Sequence, residues 1–241
     1  MLQATSGLVL RSVKYGETSL ITTIYTKHFG IQTYLLQGVR SNKKNTAKAA
    51  RFQPATLLDM VVYHQANKNL QRIREAEYHH VYRLLPASVL RYAVAVFVCE
   101  LILKTLTEPE TNESLYLFLE TFFIHLDDAD EKAVLDMPVR FTLEWATHMG
   151  FGIQNRWQEN NPVLDFQNGC FTAAPDLPSS AFAEEDISKG LSDCLYPDAS
   201  PSQTTVPKRK LLEAGLHYLR WHLPGLGMLK SMDVLQDVLH A

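Results

Sequence analysis

The hydrophobic period of this sequence changes once, near Pro86, and that change limits the folds that the chain can adopt. Before Pro86, short β-branched runs alternate with polar residues and are bounded by turn residues, which is typical of strands. After Pro86, apolar residues recur at spacings of three and four, which is typical of helices. We therefore predict an α+β chain with a small β-barrel domain at residues 1–80 and a helical domain at residues 81–241.

Five strand candidates fill the first 80 residues, separated by turn signals such as those at Gly16 and at residues 65–69. The candidates are SGLVLRSV, SLITTIYT, IQTYLLQG, TLLDMVVYH and NLQRIREAE. Five strands in about 75 residues, with one long connection between the third and the fourth, match the five-stranded OB-fold. An SH3-like barrel is the main competing architecture, and the sequence pattern does not separate the two.

The helical part begins with a segment at residues 87–108 that is apolar nearly all round, which predicts a buried central helix. Asn112 is a candidate N-cap for the amphipathic helix that follows, and a third helix is expected from Asp136 and Pro138 to Gly150. Residues 151–206 are irregular and rich in proline, with a short hairpin expected, and two more helices follow Pro207. No apolar run approaches the 20 or so residues that a membrane span needs, so no membrane partner is expected.

The charge of the chain is unevenly distributed. Residues 1–91 hold 13 Lys and Arg against 4 Asp and Glu, whereas residues 92–207 hold 5 against 19. A basic part of this kind indicates a polyanionic partner such as nucleic acid, although two folded parts can also simply differ in surface charge.

Motifs for catalysis or for a cofactor are missing from the sequence. It contains no glycine-rich phosphate loop, no dinucleotide fingerprint and no G-x-S-x-G elbow. The three cysteines, Cys99, Cys170 and Cys194, form no C-x-x-C pair. The acidic run DDADE at residues 127–131 lacks the pattern of a calcium loop, so a solvated surface loop between two helices is expected there. We expect a cytoplasmic protein that is not an enzyme, with no cofactor and no metal.

Cations and aromatic residues of the basic part are the candidate nucleic-acid contacts. The connection GVRSNKKNTAKAARFQP at residues 38–54 contains no acid, and alternation along the fifth strand predicts two arginines on one face, either as a cationic platform or as ordinary surface residues. Two tyrosines, on the face opposite to the apolar residues, are candidates for base stacking. The candidates are Arg40, Lys43, Lys44, Lys48, Arg51, Arg72 and Arg74, with Tyr34 and Tyr63 for stacking.

A second candidate lies near the end of the chain, where Lys208, Arg209 and Lys210 follow Pro207. Proline suits the first position of a helix, which would place all three cations in the first turn, against the helix dipole. The free N–H groups of a first turn bind anions, so phosphate contact is one interpretation. The other is that the helix begins later and the three charges lie in a loop.

Residues 7–40 carry a specific pattern. It is formed by Gly7, Tyr15, Gly16, Glu17, Ser19, Leu20, Thr26, Gly30, Gly38 and Arg40, and FQPATLLDM follows it. This pattern resembles the N-terminal domain of the RecO family, bacterial recombination mediators of DNA repair. The closing YLRWHL and LKS are similar to that family's C-terminal helices. Several members carry four zinc-binding cysteines after the helical core, where this chain keeps only Cys170, so no zinc is expected.

The resemblance implies an OB-fold joined to a helical domain. It also implies binding of single- and double-stranded DNA, strand annealing, and loading of recombinase in the RecF pathway in response to DNA damage. The implied partners are RecR, single-strand DNA-binding protein and, in many bacteria, RecF, and the implied location is the cytoplasm at the nucleoid. The alternative hypothesis is a protein-interaction adaptor whose basic barrel binds an acidic protein tail rather than DNA.

Replacing Lys43, Lys44 and Lys48 with Glu is expected to slow annealing of complementary oligonucleotides and to leave the fold intact. Fewer phosphates would be neutralised, and the dependence of binding on salt would become shallower. Unchanged annealing together with an unchanged salt dependence would rule out the loop as a DNA contact.

Overall fold

The computed structural model of the chain describes residues 1–39, 48–106, 111–173, 178–197 and 205–239. The chain divides into two compact units, Met1–Ala129 and Asp130–Ala241. Across the described ranges, no helix combines the length and the apolar character that crossing a bilayer requires.

The first unit contains a closed five-stranded barrel. Its strands are β1 (Leu2–Tyr15), β2 (Ser19–Thr26), β3 (Gly30–Leu36), β4 (Leu57–Tyr63) and β5 (Gln71–Tyr78). The strand order is β1-β2-β3-β5-β4, and β1 is long enough to pair with both β2 and β4. Every pairing is antiparallel except that of β3 with β5. This arrangement confirms the OB-fold over the SH3-like alternative.

Phe52, from the connection between β3 and β4, packs into the core of the barrel. It contacts the same buried cluster as Val9, Ile24 and Val62, which are 0 % exposed, whereas Phe52 is 5 % exposed. The Ser12 hydroxyl donates a hydrogen bond to the Phe52 carbonyl, and the Ala55 N–H donates to the Val9 carbonyl. The end of the connection is therefore fixed against β1.

Two helices, α1 (Val89–Thr105) and α2 (Glu113–Asp128), complete the first unit. The side chain of Asn112 accepts a hydrogen bond from the Leu115 N–H at 2.9 Å, which confirms it as the N-cap of α2. The apolar helix α1 packs against β1, so its buried face serves the barrel unit. The change from strands to helices thus falls near residue 80, whereas the boundary between the compact units follows α2.

Asp127, in the acidic run that was expected to be a surface loop, is 2 % exposed. Its carboxylate accepts hydrogen bonds from the N–H groups of Arg83, Leu84 and Leu85, at distances from 2.6 to 3.2 Å. Burial raises the pKa of this carboxyl, but the three donors outweigh burial and the pKa of Asp127 is lowered. Asp127 therefore ties α2 to the segment that leads from the barrel to α1.

The second unit is built mainly on helices. They are α3 (Glu131–His148), α4 (Glu185–Leu195), α5 (Lys208–His222) and α6 (Ser231–Leu239). A small sheet of β6 (Val163–Asp165), β7 (Cys170–Thr172) and β8 (Phe182–Ala183) forms the irregular part, and β6 with β7 is the expected hairpin.

Helix α3 begins five residues before the predicted start at Asp136, and Pro138 lies inside it. The Asp130 side chain accepts a hydrogen bond from the Ala133 N–H at 2.8 Å and caps the helix. Val134 and Met137 are buried on the first turns, so packing outweighs the backbone donor that Pro138 lacks.

Replacing Asp127 with Asn should lower the free energy of unfolding by roughly 1–3 kcal/mol at pH 7, because three buried N–H donors lose a charged acceptor. Folding lowers the pKa of Asp127, so its contribution is present above the unfolded pKa of about 3.9 and is lost as the pH falls through the folded pKa. Urea unfolding at pH 7 and pH 3 measures this difference, which should shrink at pH 3. Asp128→Asn is the matched control, and equal effects of the two variants at pH 7 would contradict the role of Asp127.

Candidate nucleic-acid interface

A groove runs along the outside of the barrel where β3 meets β5. It consists of two adjoining depressions of about 520 and 530 Å³, and Leu35 and Arg72 line both. The first depression is completed by the turn between β4 and β5, and the second by the connection between β3 and β4. We call the whole the β3–β5 groove. The remaining lining residues are Tyr63, Gln65, Lys68, Leu70 and Gln71 in the first, and 36–39, Lys48, 51–52 and 73–77 in the second.

Arg72 lies at the centre of the groove. The parallel ladder that closes the barrel has only two residue pairs, Tyr34 with Gln71 and Leu35 with Arg72. On its other side Arg72 pairs with Tyr63 of β4, so the three outward side chains of Leu35, Arg72 and Tyr63 stand side by side. Arg72 is exposed and forms no ion pair with any residue that the structure describes.

Register pairs extend this row across the outside of the barrel, from Val13 on β1 through Ile21 on β2 to Leu35. Tyr63, 46 % exposed, pairs in turn with Leu2 of β1, 42 % exposed. Apolar and aromatic surfaces of this kind are what the bases of a single strand stack on, beside cations that hold the phosphates. In OB-folds that bind oligonucleotides, the face of strands 2 and 3 and the loop between strands 4 and 5 make the contacts.

Gln71, which sequence reasoning missed, shapes the turn between β4 and β5. It is 2 % exposed, and its side-chain oxygen accepts a hydrogen bond from the Gln65 N–H at 3.1 Å. Its side-chain nitrogen donates to the carbonyls of Gln65 and Lys68, both at 2.7 Å. The turn is thereby held with Lys68 and Leu70 at the groove. The sequence feature that could have revealed this role is a glutamine at a strand position whose side chain faces inward.

Both arginines of β5 are exposed and line the second depression of the groove, but a β-bulge breaks the alternation on which the prediction of a shared face rested. Ile73 pairs with Val62 and Glu75 pairs with the preceding Val61, which leaves Arg74 as the extra residue of a β-bulge. A bulge interrupts the alternation of side chains and redirects the extra residue. Arg74 instead forms an ion pair with Glu75, at 3.1 Å between Nε and Oε1.

Arg51 has structural contacts within the groove. Its Nη1 donates a hydrogen bond to the Ala76 carbonyl at 2.7 Å and forms an ion pair with Glu77 at 3.1 Å. Its guanidinium lies 5.7 Å from the centre of the Tyr78 ring. Arg51 therefore fixes the end of the β3–β4 connection against β5.

Lys48 is exposed and lines the second depression, as does Val39 at the other end of the same connection. The candidates between them, Arg40, Lys43 and Lys44, lie outside the described residues.

Tyr34 is a core residue, which overturns its assignment as a stacking residue. It is 0 % exposed and packs inside the barrel with Leu36, whereas Ile31 and Leu35 face outward and are half-buried. Burial raises the pKa of the Tyr34 hydroxyl, which has no hydrogen-bond partner among the described residues. The ring of Tyr34 faces inward because large side chains fill the interior of a small barrel. Tyr63 remains the candidate for stacking.

Helix α5 begins at Lys208, so the three cations after Pro207 do lie in its first turn, as predicted. Lys208 forms an ion pair with Asp136, and Arg209 forms one with Glu213 at 3.1 Å. The two carboxylates offset the charges of Lys208 and Arg209, which oppose the helix dipole. Contacts within the protein therefore explain these two cations, and no phosphate ligand is needed to explain them. Lys210 is exposed.

The thiols of the chain are held in their protonated form. Burial raises the pKa of Cys99 to about 12 and that of Cys194 to about 11, so neither is a ready nucleophile at neutral pH. Within the described ranges, no three His, Cys, Asp or Glu side chains are grouped as a metal site would require. The β3–β5 groove combines exposed cations, Lys48 and Arg72, with the exposed ring of Tyr63.

Comparison with known proteins gives two matching family models. The model described as "Recombination protein O N terminal" matches residues 1–82, and that described as "Recombination protein O C terminal" matches residues 87–157. A DNA repair protein RecO of Flavobacterium psychrophilum is 27 % identical over 237 residues, which cover 97 % of this chain and 98 % of the relative. A second, of Phocaeicola vulgatus, is 28 % identical over 241 residues and 99 % of each chain.

Replacing Tyr63 with Ala is expected to weaken binding of a single-stranded oligonucleotide by about 1–3 kcal/mol, because one stacked base loses its partner. The salt dependence should stay the same, since stacking releases no counterions. Tyr34→Phe is the matched control and should leave affinity unchanged, with stability equal or higher because an unpaired buried hydroxyl is removed. Fluorescence anisotropy at two salt concentrations measures the affinity of both variants for the oligonucleotide. Equal affinities of the Tyr63→Ala and Tyr34→Phe variants would exclude Tyr63 as a stacking residue.

Proposed function

We propose that this chain, which belongs to the RecO family of DNA repair proteins, is a DNA-binding mediator of recombination with no catalytic step of its own. The observation that carries the proposal is the position of Arg72, exposed and without an ion pair among the described residues, between Leu35 and Tyr63. A guanidinium in this position binds a backbone phosphate while the neighbouring ring accepts a base.

Binding of this kind does not read sequence. Lys48, Lys68 and Arg72 contact phosphates, which carry no base information, and a stacked ring accepts any base. The groove therefore suits single-stranded DNA of any sequence. Double-stranded DNA is bound through its phosphates alone, with lower dependence on Tyr63.

Strand annealing follows from charge neutralisation. Two complementary strands repel each other, and a basic barrel that binds both lowers that repulsion without making or breaking a covalent bond. The excess of basic residues over residues 1–91 supports this step, and the acidic excess over residues 92–207 makes that part a surface for proteins rather than for DNA.

Membership of the family supports the partners as well. We expect this chain to act with RecR and with single-strand DNA-binding protein, and with RecF where the RecF pathway uses it, to load recombinase onto single-stranded DNA. For a protein with this role we also expect a location in the cytoplasm, at the nucleoid.

Replacing Arg72 with Ala should weaken binding of a labelled single-stranded oligonucleotide about tenfold and slow annealing, because one charge-assisted contact is lost. The slope of log K against log salt should become shallower by about 0.7, as expected for one phosphate on a single strand. Anisotropy titrations at several salt concentrations measure both quantities.

Arg83→Ala is the matched control. It removes the same charge from an exposed side chain outside the groove, where Arg83 pairs with Asp128 at 3.7 Å, and it keeps the backbone N–H that Asp127 binds. Equal effects of the two variants would contradict the proposed site. Failure of the wild-type protein to bind bare DNA, together with retention of an acidic peptide, would favour the adaptor hypothesis instead.

A further inference from the structure

The second depression of the β3–β5 groove contains anions of its own. Glu75 and Glu77 project from β5 into the same depression as Lys48 and Arg72. Both carboxylates are exposed, with 63 % of the Glu75 side chain and 76 % of the Glu77 side chain accessible. Carboxylates beside bound DNA are unfavourable because they repel its phosphates. Two of them in the groove therefore suggest that they have a function there.

Each of these carboxylates holds one arginine of the groove. Glu75 Oε1 lies 3.1 Å from Arg74 Nε, and Glu77 Oε1 lies 3.1 Å from Arg51 Nη1. Arg72, by contrast, has no carboxylate partner among the residues that the structure describes. The groove therefore has an open end at Arg72 and an end at Arg51 and Arg74 that is already neutralised by the protein itself.

We propose that Glu75 and Glu77 occupy the phosphate positions of the groove, and that a DNA strand must displace them to reach Arg74 and Arg51. The inference rests on the proposed DNA binding, and it identifies these two carboxylates as the groups that limit the affinity of the groove for DNA. A guanidinium binds carboxylate and phosphate oxygens with the same geometry, so one can replace the other.

The exchange is feasible at both positions. Both carboxylates are exposed, and an ion pair at the surface contributes little to stability, so a strand that is already bound at Arg72 can compete for the arginines. Arg74 is the extra residue of the bulge and has no ladder partner on β4. Arg51 keeps its hydrogen bond to the Ala76 carbonyl when Glu77 leaves, so the β3–β4 connection stays anchored.

The carboxylates thereby restrain affinity, which serves annealing. A protein that bound a single strand too tightly would keep it from its complement. When a bound strand gains its complement, the carboxylates of Glu75 and Glu77 compete for Arg74 and Arg51 again, and the strand can leave the groove.

Replacing Glu75 or Glu77 with Gln should tighten binding of a single-stranded oligonucleotide about two- to fivefold, because no carboxylate then competes with the phosphate for the arginine. The slope of log K against log salt should become steeper by about 0.7 for each variant. Glu17→Gln is the matched control, since Glu17 is an exposed acid in the β1–β2 turn with no ion pair among the described residues. It changes net charge equally and should leave the slope unchanged.

A double-mutant cycle with Arg74→Gln identifies the contact. The gain from Glu75→Gln should disappear in the Arg74→Gln background, because no arginine is left to free. Affinity and slope equal to those of Glu17→Gln, or a gain that persists without Arg74, would overturn the inference. If Arg72→Ala also has no effect, the proposed DNA site itself is wrong, whereas a normal effect of Arg72→Ala would confine the failure to the role of the carboxylates.

Discussion

The parallel pairing of β3 with β5 is the contact on which the first unit depends. It comprises two residue pairs, yet it closes the barrel and removes the free edges that β3 and β5 would otherwise have. The same contact places Tyr34 inside the barrel and Arg72 outside it. The two strands overlap only where β3 ends and β5 begins, and the β3–β5 groove lies around this overlap.

Near the pairing of β3 with β5, buried polar groups form hydrogen bonds with side chains rather than with the backbone of a neighbouring strand. Gln71 replaces missing strand contacts by bonding to the backbone of residues 65 and 68, which keeps the turn between β4 and β5 in one conformation. Arg51 has a similar role on the other side, through the Ala76 carbonyl. The site is thus held by rigid elements of the barrel, which is what precise contact with a ligand requires.

Counting cations overestimates the positive charge that the barrel has free for the proposed DNA ligand. Among the described candidates, Arg51, Arg74, Lys208 and Arg209 each hold a carboxylate of the protein, whereas Arg72 does not. The net charge of the basic part describes its long-range electrostatic field. Direct contacts with a ligand depend instead on which individual cations are not already paired with carboxylates of the protein.

Periodicity predicted the elements well, because a strand or helix must bury one face whatever its neighbours are. The five strands, the OB-fold and the Asn112 cap all follow from local patterns. The misplaced features depend on distant partners. The bulge at Arg74 is set by pairing with β4, and the inward position of Tyr34 by the space inside the barrel. The buried role of Asp127 is fixed by donors more than 40 residues away.

The long strand β1 has a consequence for the order in which the barrel can form during synthesis. Its second half pairs with β2, which follows at once, but residues 2–8 pair with β4 at residues 57–63. At about 5–20 residues per second, the ribosome adds the intervening 50 or so residues in roughly 3–10 seconds. Throughout that interval the first half of β1 is an unpaired edge, open to pairing with another nascent chain. Gln3, Thr5 and Ser6 give this edge a polar character, which limits such aggregation until β4 arrives.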